Sequence, residues 1–161
     1  MPPLTLVPVG VSSPAHRDTR RETMTKNAFD LSSIDTIAAC NKPVDIEIEH
    51  PVSREKLGVF IQVVGKDSDI YRDRIRALAN ENMARDAFNA RRGKQEVPDI
   101  AKMEAKNIDV LVAATVGWKG VVLNSEELAF SAENARKVYQ QILPVREQVT
   151  EAINDLENFM H

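Results

Sequence analysis

Residues 111–123 read LVAATVGWKGVVL, residues 128–143 read LAFSAENARKVYQQIL, and residues 144–160 read PVREQVTEAINDLENFM. These runs hold the chain's only tryptophan and its clearest helix signals. The first reads as the end of an apolar helix that stops at Gly117 and turns through Trp118, Lys119 and Gly120, where glycine supplies unusual dihedrals and Trp118 a large buried anchor. The second opens at Ser131, a good N-cap, with Glu133 in the first turn, where the helix dipole favours an anion. The third begins at Pro144, which suits the first turn of a helix and cannot continue the preceding one. Within it Val145, Val149, Ala152, Ile153, Leu156 and Met160 recur at steps of three and four, which is one apolar stripe with a face to bury. The pattern specifies amphipathic helices hung on a Trp-bearing turn and names no chemistry.

Moving towards the N-terminus, residues 99–116 are predicted to be a helix with Ile100, Met103, Ile108, Leu111, Val112 and Thr115 facing inward, entered through a hinge-like GKQEVP at 93–98. Before it lies a helix at about 70–92, capped by Asp67 or Ser68, with Tyr71, Ile75, Leu78, Met83 and Phe88 as its apolar positions. Its six arginines, between Arg72 and Arg92, are interleaved with acidic residues, which favours a solvated face over a nucleic-acid stripe. Val44 to Glu49 alternates apolar and acidic residues, the mark of a half-buried strand, and Leu57 to Val64 reads as its antiparallel partner. Residues 28–39 suggest a short helix or an irregular arm.

The expected fold class is therefore α+β and mostly α-helical: an N-terminal antiparallel β-hairpin at about 44–64, then four or so helices at about 70–92, 99–116, 132–142 and 144–160. These form one domain from 24 to 161, behind a flexible proline-rich extension at 1–23 that holds four of the eight prolines. Its basic cluster at Arg17, Arg20 and Arg21 follows rather than precedes the apolar residues, so it does not read as a secretion signal. Met24 reads as an independent start, and mass spectrometry of the natural protein would show which methionine begins the chain.

The 161 residues suffice for one domain with a core, and a net charge of −3 does not draw the chain to DNA or to anionic lipid. No run approaches the ~18 consecutive apolar residues of a membrane helix, so the chain reads as soluble. Its single cysteine, Cys40, excludes an internal disulfide framework and reads as a small buried apolar residue. His16, His50 and His161 fall in a tail, a turn and the last position, a poor distribution for a metal site or a general base. Glu47 and Glu49 share a strand face, which suits acid-base work or, equally, a solvated edge that discourages aggregation. Gly117 to Gly120 lacks the spacing of a phosphate loop, and Ser131 sits in no nucleophile elbow. The reading is non-enzymatic, with no catalytic, cofactor or metal residues.

The order and spacing of the Gly-Trp-x-Gly turn, of Phe130 to Ala135, of Tyr139 one turn on, and of the Pro144 to Phe159 helix resemble small tail assembly chaperones of long-tailed (siphovirus-like) bacteriophages. The resemblance covers about Val44 to Met160. It implies a chaperone in the host cytoplasm that binds and solubilises the tape measure protein, helps recruit tail tube subunits, and is made in some members also as a longer frameshifted product. The matching positions Trp118, Phe130, Asn134, Tyr139, Pro144 and Phe159 look structural. Trp118, Phe130, Tyr139, Val149, Ile153, Leu156 and Phe159 are the candidate partner-binding residues, with homo-oligomerisation also compatible and no role for nucleic acid or membrane. The alternatives are a structural virion protein, such as a head-tail connector or tail completion protein, and a small nucleic-acid-binding regulator that uses the Arg72 to Arg92 helix.

Overall fold

The computed structural model describes residues 28–161 together with Pro3 and Gly10, so most of the expected extension at 1–23 lies outside the described residues. The chain divides after Ile34 into two units. In the described part of the first unit, Leu31–Ser33 forms a 3-10 turn. The Asp30 carboxylate caps it, accepting from the Ser32 amide at 2.9 Å and hydroxyl at 2.7 Å. The hydroxyl bond and then the amide bond hold the Asp30 carboxyl below the usual carboxylate range.

The second unit, Asp35–His161, is mixed α and β with antiparallel sheets and more helix than strand. Helix α1 (Thr36–Cys40) is capped by Asp35 and leads into strands β1 (Val44–Glu49) and β2 (Lys56–Val63). Val44 pairs with Val63 and Ile46 with Ile61, so the alternating apolar residues of both strands share one face. The long helix α2 (Asp69–Arg91) follows, capped by Ser68, and α3 (Ile100–Ala114) runs back along it. Strand β3 (Thr115–Lys119) then pairs with β2, placing Trp118 opposite Ile61 and completing a sheet in the order β1-β2-β3.

Strand β3 corrects the expectation that the 99–116 helix ends in a turn at Trp118. An unbroken apolar run fits a buried strand as well as a buried helix, and at Thr115-Val116 two β-branched residues tip the backbone to extended. The junction is fixed by the Thr115 hydroxyl, which donates to the Leu111 carbonyl at 2.7 Å and accepts from the Tyr139 hydroxyl at 2.6 Å. A two-stranded ribbon, β4 (Val122–Leu123) with β5 (Glu126–Glu127), follows, turning through Asn124-Ser125 with φ of 53° and 68°. Two positive φ values in a two-residue loop match the right-handed twist of the strands they join.

Helices α4 (Ala132–Gln141) and α5 (Leu143–Asn154) complete the unit, with a 3-10 turn at Leu156–Asn158. The last helix thus stops at Asn154 instead of reaching residue 160. Ser131 caps α4, accepting from the Asn134 amide at 3.1 Å, while the Asn134 side chain donates to the Ala129 carbonyl. Helix α5 packs on the sheet, and its Gln148 acts as a clamp on the free edge of β1. Its amide donates to the Glu49 carbonyl at 2.8 Å and its carbonyl accepts from the Glu49 amide at 2.9 Å. The core under the sheet is formed by Ile48, Ile61, Val63, Ile108, Leu111, Ala135, Val138, Tyr139, Val149, Ile153 and Phe159. Gly65 passes so near Cys40 that a Cβ there would meet the Cys40 Cβ at 2.8 Å. Gly120, at a φ of 73°, leaves no room for one either, with the Gly58 carbonyl oxygen at 2.7 Å.

Candidate functional site

Helix α2 buries only Leu78 and α3 only its C-terminal half, at Ile108, Val110, Leu111 and Ala114, so much of the α2 surface and the start of α3 face solvent. Polar contacts along its flank tie the pair together. Glu96, in the connection between the two helices, accepts from Lys102 at 2.8 Å, Arg85 at 3.0 Å and Asn89 at 3.0 Å, and Arg74 reaches Asp109 at 3.5 Å. The Lys102 hydrogen bond foremost holds the Glu96 carboxyl below its ordinary range, and the same bond raises the Lys102 ammonium. Asp109 also takes an ion pair from Arg136 of α4.

The apolar residues of these helices are not all covered. Ile75 is 45% exposed, Met103 58% and Ile100 81%, against the expectation that Ile100 and Met103 face inward. Their helical spacing holds, but no element of the described chain packs over that side of the pair. Together with Tyr71, Ile108, Val110 and Leu111 they line a groove of about 860 Å³ between α2, α3 and α5. Its rim is polar: Arg146 of α5 reaches across to Glu104 of α3 at 2.7 Å, and Glu147, Thr150 and Glu151 stand along the α5 side. The lining includes no histidine, cysteine or serine. A mostly apolar trough with a polar rim is suited to receiving the apolar face of a helix.

Two other depressions are each of about 510 Å³; the first is more apolar than polar, with Ile75, Leu78, Val97 and Met103 in its lining, and the second is polar. One surrounds the paired charges of Arg85, Glu96 and Lys102, and the other lies between β1 and α5 among Asp45, Glu47, Glu49 and Asp155. Among the described residues no group of carboxylates, histidines or cysteines has metal-binding geometry, and no helix is long and apolar enough to cross a membrane. Burial pushes the Cys40 thiol up, away from a reactive thiolate. Desolvation likewise pushes the Tyr139 phenol up, to about 12, only partly offset by its bond to Thr115. The His50 Nδ1 accepts from the Val52 and Ser53 amides and so shapes a turn, and His16 lies outside the described residues. Glu47 pairs with Lys56 at 3.1 Å on the strand surface.

No family profile, curated protein or solved structure matches the chain.

The residues nominated from sequence for a partner lie mainly inside. Tyr139 and Val149 are fully buried, Ile153 and Phe159 nearly so, and Leu156 and Trp118 pack partly buried against the same core. The apolar stripe of the last helix therefore closes on the sheet of its own chain. Trp118 donates its indole N–H to the Leu128 carbonyl at 2.8 Å and meets Phe130 edge-on, the ring centroids 5.3 Å apart, leaving Phe130 37% exposed. The groove residues Ile75, Ile100 and Met103 were legible only as apolar helix positions, because which of two apolar stripes stays open is settled by tertiary packing.

Proposed function

We propose that the protein is a non-enzymatic assembly factor of the tail-assembly-chaperone kind, which binds the long helical tape measure protein, keeps it soluble in the host cytoplasm, and helps recruit tail tube subunits. The observation that carries the reading is the open groove: three aliphatic side chains exposed side by side on a helix pair, with a polar rim. A contiguous apolar surface of this kind marks an interaction site more often than scattered single residues do. The order of motifs from Trp118 to Phe159 supports the same reading. The nominated residues there mostly belong to the core, and in this reading the partner is met instead by Tyr71, Ile75, Ile100 and Met103. The frame in this reading is an antiparallel hairpin near the N-terminal end followed by four or so helices.

The test is co-expression of a candidate tape measure protein with wild-type chain and with an Ile100→Asp/Met103→Asp variant. Both positions are exposed, and surface substitutions away from special features usually change stability by no more than about 0.5 kcal/mol, so the variant stays folded. Soluble tape measure with wild type and insoluble tape measure with the variant is the expected result. Tape measure that is insoluble with both, or soluble with both, overturns the reading.

A further inference from the structure

The rim of the groove is electrostatically one-sided. Glu104 and Arg146 neutralise one another across it, which leaves Glu147 and Glu151, both exposed, as the remaining charges in the lining. They stand four residues apart on α5, one turn above the other, an arrangement that repels along a helix. Among the described residues neither has an ion-pair partner, although most other charged side chains along α2 and α3 find one. The floor from Ile100 to Leu111 of α3 spans about 16 Å, the length of about three helical turns.

Resting on the groove as the binding site, we infer that its occupant is an amphipathic helix of a separate protein whose apolar stripe is flanked by lysine or arginine. The stripe, at about i, i+4 and i+7, seats on Ile75, Ile100 and Met103, and the basic flank faces Glu147 and Glu151. Exposed charges at a rim contribute little affinity each, but they select the sign of the partner and its orientation. The groove therefore prefers basic-flanked over acidic-flanked helices, whatever their shared apolar stripe.

Two synthetic 18-residue amphipathic helices with the same leucine stripe, one flanked by Lys and Arg and the other by Glu, serve as probes in a fluorescence anisotropy titration. The basic peptide is expected to bind about tenfold tighter at low salt, and the gap should close in 1 M salt, where the screening length is about 3 Å. Glu147→Gln/Glu151→Gln removes the preference while keeping the apolar binding, and Ile100→Asp removes both peptides. Circular dichroism and unfolding curves verify that each variant is folded. Equal or reversed preference, a preference that survives the double glutamine variant, or no binding of either peptide overturns the inference. So does a dimer in sedimentation that Ile100→Asp dissociates, since a second copy then fills the groove. If sign preference is absent while tape measure solubility still depends on Ile100 and Met103, the charge inference falls and the chaperone reading stands. If solubility is indifferent to those residues, the reading itself falls.

Discussion

The bonds joining Thr115 and Tyr139 predict an asymmetry between two isosteric substitutions. Thr115 Oγ1 uses its proton on the Leu111 carbonyl at 2.7 Å, so the Tyr139 hydroxyl must be the donor in the 2.6 Å contact between them. Both groups are buried, Thr115 at 4% exposure and Tyr139 at 0%, and among the described residues no buried side-chain polar atom lacks a partner. Tyr139→Phe removes a donor whose acceptor keeps its other bond, which costs about 1 kcal/mol. Thr115→Val keeps shape and β-branching but strands the phenol O–H in a dry core, about 1–3 kcal/mol, and also loses the bond to Leu111, for a total near 2–4 kcal/mol. The double variant removes both polar groups and should be more stable than Thr115→Val alone by about 1 kcal/mol or more. Urea unfolding followed by the fluorescence of Trp118, the chain's only tryptophan, measures all three variants. Thr115→Val no worse than Tyr139→Phe, or a double variant that merely adds the two losses, would refute this assignment of donor and acceptor.

The raised Tyr139 pKa gives a pH prediction. A folded-state value of about 12 against an ordinary 10 means that the protonated phenol stabilises the fold in full below pH 10. That contribution is lost as pH climbs from 10 to about 12 and amounts to at most about 3 kcal/mol. In a Tyr71→Phe background, phenolate absorbance should appear late, close to pH 12, or together with unfolding; ionisation near pH 10 in a chain still folded by circular dichroism contradicts it. Gly65→Ala should destabilise by about 1–3 kcal/mol through overpacking against Cys40 and against Phe159, whose ring lies 3.1 Å from the added carbon. Thermal unfolding reads this as a fall in Tm of several degrees, and an unchanged Tm would mean that the contact relaxes freely.

The elements that could be read from sequence are those in which one local signal suffices. Alternation marked β1, and the Ser131 and Pro144 signals marked the starts of α4 and α5, because caps and periodicity are properties of a few adjacent residues. Strand β3 escaped because LVAATVGW is a nearly unbroken apolar run, and its β-branched Thr115-Val116 pair becomes decisive only with β2 beside it to pair with. The Asn124-Ser125 ribbon is short and lacks the Asn-Gly signature that would have announced it. The open groove escaped for a related reason. Both the α5 stripe and the α2 and α3 positions are apolar at helical spacing, and the sheet covers the first. Val149 and Ile153 consequently became core, while Ile100 and Met103 were left open.

The Gln148 clamp bears on what happens when many copies are made at once. An outermost strand offers its backbone as a template on which another molecule's chain can lay itself down, and repeated addition of that kind leads to fibres. Here one side-chain amide satisfies both backbone groups of Glu49, so an incoming chain cannot pair at that end of the strand. Helix α5 thus guards one end of that edge as well as covering the sheet, and a Gln148→Leu chain should fold yet turn cloudy on concentration.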